Sequence, residues 1–227
     1  MQTIRMLSTL AVMGAFRTLA QRYAFETGVS IDADFAPTVA LMERLRGGEQ
    51  ADVVVLTREA LHQLSAAGAV VVESCVDLAR SYVGVAVRAG APHPDIATEA
   101  ALRATLLGAE AVAYSQIGAS GIFFAQLIAQ MGIASEVNAR ARIIPSGLTG
   151  ERLVAGEADL AVQQISELKL VAGVDVVGPI LPLTQSPMVF SAGRMAGSAQ
   201  PARSDALLKF LVSSEATSAL RQSGLEP

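Results

Sequence analysis

The side chains best suited to chemistry in this chain fall at the ends of apolar runs. Ser8 and Thr9 follow Ile4-Arg5-Met6-Leu7, Thr38 follows Ala36-Pro37, and Ser115 closes Ala111-Val112-Ala113-Tyr114. Ser120 lies in Gly118-Ala119-Ser120-Gly121, Ser146-Gly147 follows Ile143-Ile144-Pro145, and Gln163-Gln164 end the run Leu160-Ala161-Val162. Hydroxyls and amides donate as well as accept hydrogen bonds, and the unpaired N–H groups of a helix start attract oxyanions. The chemistry this set points to is recognition of a small anion. Each hydroxyl also reads as an ordinary helix cap or turn residue. The glutamine pair is different, because amides buried in an apolar strand need partners.

Proton transfer has fewer candidates. Glu167, Glu151 and Tyr114 qualify by position near these runs, although none is a convincing general base from its neighbours alone. Ser166-Glu167-Leu168-Lys169 matches a Ser-x-x-Lys spacing, but the motifs that accompany it in acyl-transfer enzymes are absent. Cys75 stands among Val71, Val72 and Val76 and reads as a small core residue. One cysteine and two histidines, His62 and His93, leave no metal-ligand spacing, so neither a metal nor any other cofactor is expected.

Bulk composition narrows the partners. Of 227 residues 52% are apolar and 17% charged, enough to bury a sizeable core. The net charge of −4, with 17 scattered Lys and Arg, argues against nucleic acid. No run reaches the roughly 18 apolar residues of a membrane span. A monomer that binds a small anionic ligand is expected. No secretion-signal pattern stands before Gln2-Thr3-Ile4. The location is therefore read as periplasmic if a leader was trimmed and cytoplasmic if Met1 is the native start.

The elements that must hold these residues alternate between strand and helix, the grammar of parallel sheets with crossover helices. Strands are expected at 3–7, 29–35, 51–56, 82–88, 111–115, 140–144, 158–163 and 188–191. Helices are expected at 11–25, 38–46, 57–67, 98–107, 120–131, 147–156, around 166, 201–212 and 214–222. Gly28 and Gly47-Gly48 read as helix stops, and Gly90-Ala91-Pro92-His93-Pro94 is the clearest boundary in the first half. Pro179, Pro182 and Pro187 break up the later stretch.

Five segments in order resemble the molybdate-binding branch of the periplasmic-type solute-binding proteins. They are Leu7-Ser8-Thr9-Leu10-Ala11-Val12-Met13-Gly14-Ala15-Phe16; Phe35-Ala36-Pro37-Thr38 with Gly47-Gly48-Glu49-Gln50-Ala51-Asp52-Val53-Val54; Val83 to Pro92; Gly118-Ala119-Ser120-Gly121-Ile122; and Gly156 through Glu167 to Pro179. The resemblance covers about residues 3 to 215. It implies an α/β fold of the type II periplasmic binding kind, in which each lobe is a mainly parallel sheet flanked by helices. Lobe 1 would comprise 1–81 plus 192–227 and lobe 2 would comprise 82–191, joined by crossing strands near 82–88 and 186–192.

The same resemblance implies a small oxyanion or organic polycarboxylate held in the cleft between lobes. The ligand set would be Ser8, Thr9, Ala11, Thr38, Arg80, Ser115, Ser120, Ser146, Gly147, Gln163 and Gln164. Ala11 occupies the place of a family serine, and Gln163 that of a family tyrosine. A guanidinium from Arg80 could fork onto a carboxylate. The leading expectation is a solute-binding protein that serves a transporter membrane subunit. The alternative, implied by aconitate-isomerising relatives, is an isomerase of a small polycarboxylate on the same scaffold.

Overall fold

The first apolar run becomes β1 (Gln2–Ser8), and its carboxyl end leads through a 3-10 turn at Leu10–Val12 into α1 (Met13–Thr27). The α-helix thus starts two residues later than its apolar spacing predicts. It ends at Gly28, whose φ of 71° allows the left-handed stop, with Gly28 N–H donating to Ala24 O at 2.9 Å. There follow β2 (Val29–Phe35), α2 (Thr38–Arg46), β3 (Val53–Thr57), α3 (Arg58–Ala66) and β4 (Val76–Ser81). Late in the chain β10 (Met188–Arg194), α9 (Pro201–Leu211) and α10 (Ser214–Gln222) return to the same unit. The structure, a computed structural model, describes residues 2–181 and 186–227, so Pro182 lies outside the described residues.

This first unit comprises Met1–Ser81 and Met188–Pro227. Its sheet has the order β2-β1-β3-β10-β4, with β1 parallel to β2 and β3, and β10 antiparallel to β3 and β4. Val53 to Leu56 are wholly buried, as a central strand covered on both faces must be. One face packs Ile4, Met6, Val53 and Val55 against Phe16, Leu19, Leu207 and Leu211. The other packs Leu7, Val54 and Leu56 against Leu41, Leu61 and Leu64. The alternation along β3 therefore serves two apolar layers.

The second unit, Tyr82–Pro187, repeats this plan. It contains β5 (Val83–Arg88), α4 (Glu99–Gly108), β6 (Val112–Ser115), α5 (Ala119–Gln130), α6 (Ala134–Asn138), β7 (Arg142–Ile144), α7 (Gly150–Val154), β8 (Leu160–Gln164), α8 (Ile165–Leu168) and β9 (Val174–Pro179). The order is β7-β6-β8-β5-β9, parallel across β7, β6 and β8 and antiparallel where β5 meets β8 and β9.

Both sheets are therefore mixed, each with one strand against the rest, on an α/β fold. The expected second boundary, after residue 191, falls instead between Pro187 and Met188. The reason is pairing: Met188–Arg194 lies wholly between β3 and β4, so its first residues go with that sheet. β4 and β9 were not anticipated, because Asp77 and Arg80 interrupt one apolar pattern and Gly178-Pro179 truncate the other. β7 starts at Arg142 rather than 140, since Arg140 N–H is bonded to Val137 O at the end of α6.

Candidate functional site

In the first unit the expected polar residues gather at the carboxyl ends of β1 and β3, where open parallel sheets present their ligand loops. Ser8 pairs with Phe35 and with Val55 across the two neighbouring strands. Thr9 N–H donates to Val55 O at 2.9 Å, and Ala36 N–H donates to Ser8 O at 3.1 Å. Both side chains are buried; the Ser8 hydroxyl donates to Thr9 O, while Thr9 makes no side-chain cap bond. Ala11 is buried in the 3-10 turn and packs in the core.

Thr38 opens α2 behind Pro37, which has no side chain able to cap. Its Oγ1 is buried without a hydrogen-bond partner, as is the hydroxyl of Ser81 at the end of β4. An unsatisfied buried hydroxyl costs about 1–3 kcal/mol, so each is an opening for a bound partner. Arg80, one residue earlier, is exposed, and its backbone pairs with Glu226.

The second unit brings together a denser cluster. The β6–β8 register, Val112 with Leu160 through Tyr114 with Val162, carries Ser115 and Gln163 to one carboxyl edge. Ser115 also pairs with Ile144, ahead of the Ser146-Gly147 turn. Ser115 Oγ accepts Gly118 N–H at 2.9 Å and so aims the start of α5. Two glycines make that approach possible. A Cβ on Gly118 would lie 2.7 Å from Ser115 Oγ, and one on Gly121 only 1.7 Å from Ser115 O. Ser120 is buried between them. Ser146 is exposed, and Gly147 takes a φ of 94°, which a turn of this hand requires.

Gln163 is 1% exposed, and its amide is engaged inside this unit. Its Oε1 accepts the N–H of Thr149 at 2.7 Å and the Thr149 hydroxyl at 3.0 Å, and its Nε2 donates to Gly147 O at 3.0 Å. Gln164, equally buried, ends β8 opposite Val83.

Glu167 is 6% exposed on α8. Burial pushes its carboxyl up to about 8, outweighing the lowering influence of the nearby Gln163 side chain and Gln164 backbone. The helix reaches this position because Gly84 has no side chain: a Cβ there would lie 2.6 Å from Ile165 Cγ1. Ser166 beside it is buried with an unpartnered hydroxyl.

The other proton-transfer candidates lie differently. Tyr114 is buried and donates to Asn138 Oδ1 at 2.6 Å, and burial raises its phenol further above neutrality. Glu151 is exposed on α7. Thr149 was not singled out from the sequence, and Ser166 entered only through the discounted Ser-x-x-Lys match. The signal for Thr149 was available, since a buried Gln163 demands a donor somewhere in the fold. No group of three His, Cys, Asp or Glu among the described residues is arranged to hold a metal.

The profile of the bacterial extracellular solute-binding protein family matches residues 4–226. The chain belongs to that family. An aconitate isomerase from a Pseudomonas species is 39% identical to this solute-binding protein over 231 aligned positions, covering 99% of this chain and 88% of that one. The periplasmic molybdate-binding protein of Azotobacter vinelandii is 17% identical, with a TM-score of 0.83 and 99% of each chain covered. The sulfate-binding protein SubI of Mycobacterium tuberculosis H37Rv, also 17% identical, has a TM-score of 0.79 and covers 100% of this chain and 87% of its own. The two structural likenesses establish that this solute-binding protein has the type II periplasmic binding fold.

Proposed function

We propose that this solute-binding protein takes a small polycarboxylate and isomerises it by moving a single proton, with aconitate as the substrate. The observation that carries this reading is Glu167, a carboxyl buried on α8 and pushed up to about 8 by that burial. A general base works best when its proton affinity lies near the working pH.

The chemistry needs little else. Aconitate has a methylene between a carboxylate and a carbon–carbon double bond. Ionised Glu167 removes one methylene proton, and the C–H electron pair spreads over three carbons as an allylic anion. The neutral acid then returns the proton to the far carbon, leaving the double bond between the other two. Rotation before that return exchanges trans for cis. The acid ends as it began, and no oxidant or reductant is consumed.

Support for the substrate class comes from the 39% identity with an aconitate isomerase along nearly the whole chain. The first N–H groups of α2 and α5 are candidate donors to carboxylates, together with Ser8, Thr9, Thr38, Arg80, Ser115, Ser120, Ser146 and Gln164. A second reading, anion capture for a transporter membrane subunit without turnover, is favoured by the unpartnered hydroxyl of Thr38 at a helix start.

A proton NMR time course on trans-aconitate separates the two, run beside thermal shifts with cis- and trans-aconitate, citrate, sulfate and molybdate. The expected result is stabilisation by aconitate and growth of the cis vinyl signal. Stabilisation by molybdate or sulfate alone, with trans-aconitate unchanged, would overturn the isomerase reading and leave capture.

A further inference from the structure

The two residues that close β4 face opposite ways, as successive residues of a strand do. Arg80 is exposed, whereas Ser81 is 1% exposed and its hydroxyl has no hydrogen-bond partner. Other buried serines of the first unit are satisfied. Ser191 Oγ donates to Asp77 Oδ1 at 2.6 Å, and Ser204 Oγ donates to Gln200 O at 3.0 Å. The backbone around Ser81 is also pinned from both sides. Ser81 pairs with Met188 on β10, and on the outer edge Arg80 and Glu226 exchange N–H to O bonds of 2.6 and 2.8 Å.

The sheet decides where this hydroxyl sits. β10 runs antiparallel to both β3 and β4, so β4 runs with β1 and ends at the same carboxyl edge as Ser8. Ala79, Phe190 and Met188 belong to the apolar cluster that holds Ala11 and Val12, the turn before α1. Ser81, two residues beyond Ala79 and opposite Met188, closes that face at the ligand-loop edge. β1 and β4 are three strand spacings apart, roughly 14 Å. A compact tetrahedral oxyanion held at Ser8 or Thr9 cannot also touch Ser81. A tricarboxylate, with a hydrogen bond added at each end, spans a gap of that order.

We propose that Ser81 is a specificity-determining residue, its hydroxyl donating to the far carboxylate of a polycarboxylate and giving no hold on a compact oxyanion. The proposal rests on the polycarboxylate reading of the site and names a group that enforces it. A pinned, unpartnered hydroxyl is already desolvated and oriented, so a charged acceptor gains its bond at little ordering cost.

Calorimetric titration of the intact chain and its Ser81→Ala variant with trans-aconitate, citrate, sulfate and molybdate tests this, beside ligand-free thermal unfolding. Ser81→Ala should weaken trans-aconitate and citrate roughly tenfold, leave sulfate and molybdate as they were, and unfold no earlier than the unaltered chain. Ser191→Ala, which orphans a bond to Asp77, should unfold earlier without changing the preference among anions. Unchanged polycarboxylate affinity in Ser81→Ala, or an equal loss for sulfate and molybdate, would overturn the proposal. Selective weakening without turnover of trans-aconitate would support Ser81 and remove only the isomerase reading. An unaltered chain that binds neither trans-aconitate nor citrate would overturn both.

Discussion

Thr149 gives both its backbone N–H and its hydroxyl to the same oxygen of Gln163, at 2.7 and 3.0 Å. The two residues lie in different elements of the second unit, one before α7 and the other near the end of β8. This pair of hydrogen bonds to one acceptor explains how an apolar strand tolerates a buried amide. Each polar atom of Gln163 meets a partner, so the penalty of about 1–3 kcal/mol for an orphaned group does not arise. Glu167, four residues further on, is buried as well.

If Glu167 is the proton carrier, Glu167→Gln should lower aconitate turnover by about 10²- to 10⁴-fold while leaving aconitate binding measurable. Turnover by the unaltered chain should rise with pH and level off above about 8, because the base must be ionised to accept a proton. Steady-state kinetics across pH 6 to 9, with calorimetric binding alongside, check both. An unchanged rate in the Gln variant would reassign the base.

The same group makes a stability prediction of defined sign. Its folded value of about 8 lies above the ordinary 4.5, so the folded chain keeps a proton that the unfolded chain has released. This contribution is fully present below 4.5, declines as pH rises towards about 8, and is flat beyond. At about 1.4 kcal/mol per pH unit the decline amounts to roughly 3–5 kcal/mol. Urea unfolding at intervals from pH 5 to 9 should show that slope, and Glu167→Gln should lose most of it.

Thr38→Val tests whether the unpartnered hydroxyl at the start of α2 serves a ligand. Removing an unsatisfied buried hydroxyl should leave the ligand-free chain as stable as before, or more stable by up to about 1 kcal/mol. Affinity for the stabilising anion should fall roughly tenfold. Thermal unfolding with and without the anion reads both effects, and an affinity that does not change would remove Thr38 from the ligand set.

Gly121→Ala should be among the most damaging small substitutions in the chain. Its new methyl would stand 1.7 Å from the carbonyl oxygen of Ser115, a backbone atom with no room to retreat. A loss of about 3 kcal/mol or more is expected, beyond ordinary overpacking because the obstacle is backbone. Gly108→Ala, where an added Cβ meets nothing, should be close to neutral and serves as the comparison in chemical unfolding.

Period and punctuation determined much by themselves. The alternation of Val29-Ser30-Ile31-Asp32-Ala33, the unbroken Val53-Val54-Val55-Leu56 and the stop at Gly28 are local signals, and each became the element it announces. Hydroxyls and amides at strand ends were legible for the same reason, since a polar residue closing an apolar run stands out in one dimension. Partnership was not legible. Nothing near Gln163 in the chain says that Thr149 will take its oxygen, and nothing near Glu167 says that its carboxyl will be shut away from water. Hydrogen bonding and desolvation depend on which atoms surround a group in space, and those neighbours come from strands and turns far along the chain. Only the tertiary structure could turn a glutamic acid of ordinary acidity into one that titrates near pH 8.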